Sequence, residues 1–297
     1  MSYCTIIPVK ASDYYLVENV CKALFDKYPI YELTIITDKT RLEHEIDIPG
    51  VVTLDENEVY PGLTFNAVKE LMSATDYLDP SYTGHCFQQL LKMAYCFKCN
   101  REGYLVWDAD TIPLHEIPFY DEQTGITTFH MKSEFVQDYF TNLKTILDVD
   151  KQVDKSFISE HMYFDSEIMK EIIGRIANRS ISGETWWEKI VLAMPCGNGV
   201  SEYEIYGNYV LKNYPSKSVL VDANSLRYGM NVLGKKLDNE KLEWVGKSFD
   251  CVSFENWDHE TFLTGLSNAK WVKRIDAKTY ATVISVINRG INHFRKR

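Results

Sequence analysis

The first third of the chain alternates short apolar runs with segments of helical periodicity. The apolar runs predict strands at residues 5–9, 32–37, 51–54 and 104–107. The periodic segments between them predict helices at residues 12–28, 64–74 and 83–99. Strands that alternate with helices pair in parallel through right-handed crossovers. This pattern therefore predicts an α/β fold built on a parallel sheet.

The rest of the chain continues with mixed elements and no obvious linker or internal repeat. Further strands are predicted at residues 125–130, 157–164 and 218–221. Helices are predicted at residues 135–147, 166–178, 184–194, 202–211 and 278–294. We therefore expect one domain over residues 1–297, with a first half to about residue 125 and a second half from about residue 126.

Composition narrows the class of protein. The chain has 297 residues, 45% of them hydrophobic, and a formal net charge of −10, which argues against a nucleic-acid partner because phosphates require a basic surface. The 7 cysteines are an odd number without a disulfide-like spacing, as in proteins of reducing compartments. The amino terminus has no signal-peptide pattern, and no apolar run reaches the length of a membrane span. We expect a cytoplasmic protein.

The strongest candidate for chemistry is a pair of carboxylates that follows the fourth predicted strand. Asp108 and Asp110 are two residues apart, so in an extended segment both side chains leave from the same face. Carboxylates at the carboxyl end of a central strand lie where α/β folds bind their ligands. Mg²⁺ and Mn²⁺ prefer such oxygen ligands. A second Asp-x-Asp, at Asp148 and Asp150, follows a predicted helix and is interpreted as a solvated helix end.

No glycine-rich phosphate-binding loop follows the first predicted strand. That strand ends in Pro8, Val9 and Lys10, and the second ends at Asp38. These positions lie where a nucleoside is expected to bind, with Asp38 as a hydrogen-bond acceptor or a simple turn residue. Without a glycine cradle, the phosphates of a bound nucleotide need another source of positive charge, which a cation on the carboxylates would provide.

Several segments together resemble glycosyltransferases of the GT-A fold. The likeness rests on the α/β start, the segment YLVWDAD at residues 104–110, QQLLK at 88–92 and SEYEIYGNY at 201–209. The last two are similar to bacterial surface-polysaccharide (capsule or O-antigen) enzymes. The resemblance implies a Rossmann-like nucleotide-binding mixed sheet flanked by helices. It also implies a nucleotide-sugar donor, most often a UDP-sugar, with Mn²⁺ or Mg²⁺ on the diphosphate and a saccharide or lipid-linked saccharide as acceptor.

Within that interpretation, polar residues on two predicted helices gain roles. Gln89 and Lys92 lie on one polar stripe of a predicted helix. We expect either residue to contact the donor sugar or diphosphate, Lys92 as a point charge on phosphate. The alternative is that the stripe is simply the solvated face of the helix. Ser201 and Glu204 have capping-box spacing, which leaves Glu202 free in the first helical turn. We predict Glu202 as the general base of an inverting transfer, with Glu204 second and other carboxylates such as Asp258 open.

Two surface features are also consistent with a sugar-processing enzyme. Trp186 and Trp187 are adjacent helix positions that are not expected to face the core together, so one of them is a candidate for stacking on a sugar ring. The last predicted helix is amphipathic and ends in Arg295, Lys296 and Arg297. It is interpreted as a docked terminal helix, with peripheral contact at the inner membrane face as the functional alternative.

Two other classes of protein fit parts of the sequence. A haloacid-dehalogenase-like phosphatase would use Asp108 as nucleophile and Asp110 as acid/base, but its motif normally lies on the first strand and no downstream acidic motif completes its site. A non-catalytic sugar-binding relative is the other alternative.

Overall fold

The computed structural model describes residues 2–255, 258–261 and 263–295, with side chains described up to residue 288. The strands in chain order are β1 (Tyr3–Pro8), β2 (Ile30–Thr37), β3 (Val51–Asp55), β4 (Gly103–Trp107), β5 (Thr111–Pro113), β6 (Tyr120–Asp121), β7 (Ile126–Met131), β8 (His161–Asp165), β9 (Ser218–Asp222), β10 (Ser225–Leu226) and β11 (Cys251–Ser253).

The α-helices in chain order are α1 (Glu18–Lys27), α2 (Phe65–Ser73), α3 (Thr83–Ala94), α4 (Gln137–Leu147), α5 (Ser166–Ala177), α6 (Trp186–Leu192), α7 (Glu202–Asn213), α8 (Gly229–Leu233), α9 (Asn239–Gly246) and α10 (Ala277–Arg295). Short 3₁₀ turns occupy Ala11–Val17, Lys39–Arg41, Glu56–Glu58, Pro80–Tyr82, Tyr95–Phe97, Pro215–Lys217, Thr264–Asn268 and Val272–Arg274.

The main sheet has the order β3-β2-β1-β4-β8. The first four strands pair in parallel, and β8 joins the edge antiparallel to β4. Every residue of β1 and β4 is buried, as expected for apolar strands covered on both faces. This arrangement confirms the predicted mixed α/β class, and it brings the carboxyl ends of the four parallel strands to one edge of the sheet.

The contacts divide the chain into two compact units. The first unit comprises residues 1–15, 29–109 and 118–223, and it contains the main sheet and a smaller sheet of order β6-β7-β9. The second unit comprises residues 16–28, 110–117 and 224–297, with a sheet of order β10-β11-β5. Neither unit is a continuous half of the sequence. The single domain with two consecutive halves stays a prediction.

The structure corrects three local expectations. The predicted strand at 157–164 begins only at His161, because Glu160 adopts a left-handed backbone conformation that interrupts it. Trp186 and Trp187 are both buried, since α6 is short and packs against α2, α4 and α5. Ser201 accepts the amide hydrogen of Glu204, but the Glu204 carboxylate turns into the protein instead of closing a capping box.

Other expectations agree with the described residues. Asp148 ends α4 in a left-handed, exposed conformation, which confirms that the second Asp-x-Asp is a solvated helix end. Along the part of the chain that the structure describes, no helix combines the length and the apolar composition needed to cross a membrane.

Close packing of α7 against the loop before β8 gives a test of the fold. A Cβ atom on Gly207 of α7 would lie 2.3 Å from the ring of Phe157, which is fully buried. We expect Gly207→Ala to lower the free energy of unfolding by about 1–3 kcal/mol, because the core must shift to admit the methyl group. Urea denaturation measures this change.

Gly174 in α5 is the matched control, since a Cβ there meets no atom within 4 Å. Gly174→Ala should raise the free energy of unfolding by about 0.5–1 kcal/mol through the loss of backbone freedom in the unfolded chain. Equal effects of the two substitutions would contradict the packing described for α7.

Candidate active site at the carboxyl edge of the main sheet

Asp108 directly follows β4, a central strand of the main sheet. Its backbone amide donates to the carbonyl oxygen of Glu160 at 2.9 Å, which fixes the chain where β4 ends beside the start of β8. The Asp108 side chain is 28% exposed, so one part of it is held by the protein and another part faces outward. This is the only predicted metal ligand within the first unit.

A lysine from α3 holds the inner oxygen of Asp108. Lys92 Nζ lies 2.8 Å from Asp108 Oδ1, 2.8 Å from Glu202 Oε1 and 3.5 Å from the hydroxyl of Tyr203. The ammonium also lies 4.6 Å from the centre of the Tyr203 ring. With a side chain only 3% exposed, Lys92 has an oxygen partner for each of its three N–H bonds.

Glu202 completes the buried cluster from the first turn of α7. Its side chain is 1% exposed, and the amide of Gln89 lies against the same carboxylate, donating when its nitrogen faces Glu202. Gln89 is itself buried, so the polar stripe predicted on α3 points into the protein. These residues are separate candidates in the sequence, and the structure brings Gln89, Lys92, Glu202 and Asp108 into contact as one chain of polar groups.

The protonation of this cluster follows from burial and charge. Burial by itself lowers the pKa of Lys92, but the carboxylates of Asp108 and Glu202 outweigh it and the net pKa is raised. Burial raises the pKa of Glu202, Lys92 counteracts that rise, and the charge of Asp108 adds to it. The charged form of Lys92 is therefore strongly favoured, while the pKa of Glu202 stays above its usual value because burial outweighs the effect of the lysine.

Glu204 is buried as well, and it fixes the loop before β8. Its carboxylate accepts hydrogen bonds from Ser156 Oγ at 2.6 Å, the Phe157 amide at 3.1 Å and Asn208 Nδ2 at 2.9 Å. Burial raises the pKa of Glu204, and these three donors lower it. The roles of Glu202 and Glu204 as bases stay predictions, but their contacts are those of residues that position their neighbours. Asp258, in the second unit, is also buried and accepts the amide of Asn231 at 3.1 Å.

The residues predicted to bind a nucleoside lie at the ends of β1 and β2. The Pro8 carbonyl accepts from Gln88 Nε2 at 2.9 Å, and the Val9 amide donates to Ile36 at 2.9 Å. Lys10 is 70% exposed and pairs with Asp13. Asp38 accepts the amide of Thr40 at 3.1 Å and forms an ion pair with Arg41 at 2.9 Å. These contacts match the turn interpretation of Asp38, and its nucleoside role stays a prediction.

The donor set fits a metal ion only when a ligand supplies further oxygens. Among the described residues, Asp108 Oδ2 accepts no hydrogen bond, and no group of three His, Cys, Asp or Glu side chains has metal-site geometry. Asp110 belongs to the second unit, where its carboxylate accepts a hydrogen bond from Thr111 Oγ1 at 3.3 Å. Mg²⁺ is commonly held by one or two carboxylates together with substrate phosphates. The Asp-x-Asp sequence fits that kind of site rather than a cage made by protein alone.

Three residues of this region escaped the sequence analysis. Tyr203 supports Lys92, and Lys132 forms a buried ion pair with Glu160, whose φ of 62° is unusual for a residue other than glycine. The segment SEHM at residues 159–162 is polar within an otherwise apolar run, but it gives no sign of the backbone conformation of Glu160. No sequence signal marked Lys132, because its partner is 28 residues away.

A family model matches residues 31–295 of the chain, and its description is a family of unknown function, DUF6492. The chain belongs to this DUF6492 family. The match includes Asp108, Asp110, Lys92 and Glu202. A comparison with curated proteins finds no match.

Two solved structures resemble this DUF6492 protein at a distance. Mouse xyloside xylosyltransferase 1, in its apo form, has 9% sequence identity and a TM-score of 0.47, with 87% of this chain and 99% of that chain covered. The apo structure of the bifunctional glycosyltransferase WbbM has 11% identity and a TM-score of 0.43, with 87% of this chain and 46% of that chain covered. Likeness at these scores carries no conclusion about substrate or chemistry.

The buried cluster predicts a pH-dependent loss of stability when Lys92 is removed. Lys92→Met leaves the Glu202 carboxylate buried without its cation, so the free energy of unfolding should fall by about 3–5 kcal/mol near pH 8. A carboxyl group whose folded-state pKa is raised binds its proton more readily when folded, so stability recovers as the pH falls towards the unfolded value of about 4.3. Denaturation at pH 5 and pH 8 measures the difference.

Lys144→Met is the control, because Lys144 is 50% exposed and pairs with surface carboxylates. Its effect should stay within about 0.5 kcal/mol at both pH values. Adding Glu202→Gln to Lys92→Met should recover part of the loss at pH 8. A Lys92→Met penalty that is the same at both pH values would contradict the buried ion cluster.

Proposed function

We propose that this protein is a metal-dependent glycosyltransferase. It would move a sugar from a nucleoside-diphosphate sugar, a UDP-sugar in the first instance, to a saccharide acceptor of a cell-surface polysaccharide. The proposal joins the resemblance of YLVWDAD, QQLLK and SEYEIYGNY to GT-A glycosyltransferases with the geometry at the carboxyl edge of the main sheet.

One observation carries the proposal. Asp108 ends a central strand with one oxygen fixed by a buried lysine and the other without a partner among the described residues. A carboxylate that served only to end the strand would not need a lysine buried to 3% exposure. A carboxylate oxygen that is already oriented at this edge suits the binding of a divalent cation whose other ligands are phosphate oxygens.

The residues at this edge would have separate roles in binding the metal, in positioning and in binding the nucleoside. Asp108 and, two residues later in the sequence, Asp110 would hold Mn²⁺ or Mg²⁺. Once bound, that ion would neutralise charge on the departing diphosphate. Lys92 and Glu202 keep the Asp108 carboxylate in one orientation, so less ordering is needed when the ligand binds. Pro8, Val9, Lys10 and Asp38 would line the nucleoside side of the same edge.

Inversion of the sugar remains part of the proposal, with Glu202 as the base predicted from sequence. The burial of Glu202 favours a positioning role, and a retaining transfer is the alternative within this class. The anomeric configuration of the product, read by NMR, separates the two: a retained anomer would exclude Glu202 as the general base of an inverting displacement.

The proposal also includes the acceptor and a contact with the membrane. A lipid-linked acceptor would bring the enzyme to the inner membrane face, with the basic end of α10 as its contact. Val283, Val286 and Ile287 on this helix are exposed. The side chains of Ile291, Phe294 and Arg295, and residues 296 and 297 altogether, lie outside the described part of the chain. Membrane contact therefore stays a prediction.

Calorimetry with UDP and GDP, with and without Mn²⁺, tests the proposal. The wild-type protein should bind one of these nucleotides at least about ten-fold more tightly with the metal, because charge-assisted contacts of this kind contribute about 1.5–3 kcal/mol. Asp108→Asn and Asp110→Asn should each abolish that metal enhancement. The second Asp-x-Asp offers a matched control, and Asp150→Asn should leave the enhancement unchanged.

Opposite results would reject the proposal. Nucleotide binding that is indifferent to the metal, or metal enhancement that survives in both active-site variants, excludes the Asp-x-Asp as the metal site. A phosphate adduct on Asp108, detected by mass spectrometry after incubation with a phosphorylated substrate, would establish the phosphatase alternative instead.

A further inference from the structure

We infer that Lys132 is the cation that binds the diphosphate of the nucleotide, and that Glu160 positions its ammonium group. This inference rests on the proposed function, because it assigns a binding residue to the same sheet edge. It replaces the expectation that Lys92 contacts the phosphates.

A diphosphate site at this edge requires a cationic side chain other than Lys92. A diphosphate carries several negative charges, and the Asp108 carboxylate adds another to the site. Lys92 cannot turn to the ligand without losing Asp108 Oδ1, Glu202 Oε1 and Tyr203, which engage all three of its N–H bonds. Its side chain is also only 3% exposed. A phosphate-binding role therefore needs a different residue.

Lys132 has the features that Lys92 lacks. It follows β7, and its ammonium pairs with the Glu160 carboxylate, the one partner that the described residues give it. Two of its three N–H bonds are therefore available for a ligand. The side chain is 12% exposed, against 3% for Glu160. The side chain of Lys132 is therefore partly exposed and held by its ion pair, whereas the side chain of Glu160 is buried.

The connection to Asp108 runs through Glu160. The carbonyl oxygen of Glu160 accepts the amide hydrogen of Asp108 at 2.9 Å, and its carboxylate holds Lys132. Glu160 therefore contacts Asp108 through its backbone and Lys132 through its side chain.

The backbone of Glu160 is the second independent observation. Its φ of 62° lies in the left-handed region, which costs a residue with a Cβ atom free energy that glycine or asparagine would largely avoid. The neighbouring loop is held in place by the three hydrogen bonds to Glu204. A strained residue that orients both Asp108 and Lys132 is typical of a binding site rather than of a connecting turn.

Other cations near the strand ends are less suited to the role. Lys10 is 70% exposed and Arg41 is 77% exposed, each paired with a carboxylate of its own turn. Lys39 binds Glu45 and the carbonyl of Thr53. These three side chains follow the ends of β1 and β2, and none of the contacts among the described residues joins them to Asp108. Apart from Lys92, Lys132 is the lysine that the described contacts link to Asp108, through the hydrogen bond between the Asp108 amide and the Glu160 carbonyl oxygen.

The test uses the full chain with the pair neutralised as a unit. Lys132→Gln combined with Glu160→Gln removes both charges and keeps hydrogen-bonding groups in place, so no lone charge is left buried. Binding of UDP and GDP with Mn²⁺ is measured by calorimetry, and binding of uridine and guanosine by ligand-observed NMR. We expect the affinity for the nucleoside diphosphate to fall about ten-fold or more relative to the wild type, while the affinity for the nucleoside stays within about two-fold of the wild-type value.

Two controls separate charge from packing. Lys132→Arg keeps the positive charge and should retain nucleoside-diphosphate affinity to within a few-fold. Lys144→Gln combined with Asp150→Asn neutralises an exposed ion pair of the same unit and should leave all affinities unchanged. The melting temperature of each variant confirms that it is folded under the conditions of the measurement.

The outcomes distinguish this inference from the proposed function. If the wild-type protein binds UDP or GDP with metal and the neutralised pair binds equally well, Lys132 is not the phosphate-binding cation and the proposed function stands. An equal loss for nucleoside and nucleoside diphosphate would assign the pair a structural role and overturn the inference. If the wild-type protein binds neither nucleotide, the proposed function fails and this inference fails with it.

Discussion

The ammonium of Lys92, buried between the carboxylates of Asp108 and Glu202, is the interaction on which the candidate site depends. A buried ion group of this kind adds little net stability, because desolvation offsets much of the attraction. Its effect is on geometry: one oxygen of Asp108 is fixed at 2.8 Å from the lysine, and the other is left for a ligand. The sheet supplies the strand end, and this cluster determines how the carboxylate is presented there.

Helix α7 supports the same region through polar groups that face inward. Glu202 holds Lys92, Glu204 holds Ser156 and Phe157, and Asn208 Oδ1 accepts the amide of Gln152 at 2.8 Å. The loop fixed in this way ends at Glu160, whose carbonyl meets the amide of Asp108. One helix therefore constrains Asp108 from two directions. This arrangement explains why a helix that carries many polar residues is buried along most of its length.

The fold class and most elements could be predicted from sequence, because apolar runs and helical periodicity reflect burial directly. The contacts of Glu202 could not, since a carboxylate at a helix start is equally compatible with solvent and with a buried lysine 110 residues away. The sequence marked the stripe containing Gln89 and Lys92 as a candidate for function, but its partner across the fold was not visible. Glu160 was missed because its left-handed backbone depends on tertiary contacts, with no glycine or asparagine to mark it.

The most direct measurement is a crystal structure of the wild-type protein soaked with Mn²⁺ and the nucleoside diphosphate that it binds, with manganese located by anomalous scattering. The account predicts manganese on Asp108 Oδ2, with Lys92 still bound to Oδ1 and Glu202. Manganese at a different place, or Lys92 withdrawn from Asp108 and bound to the phosphates, would contradict it.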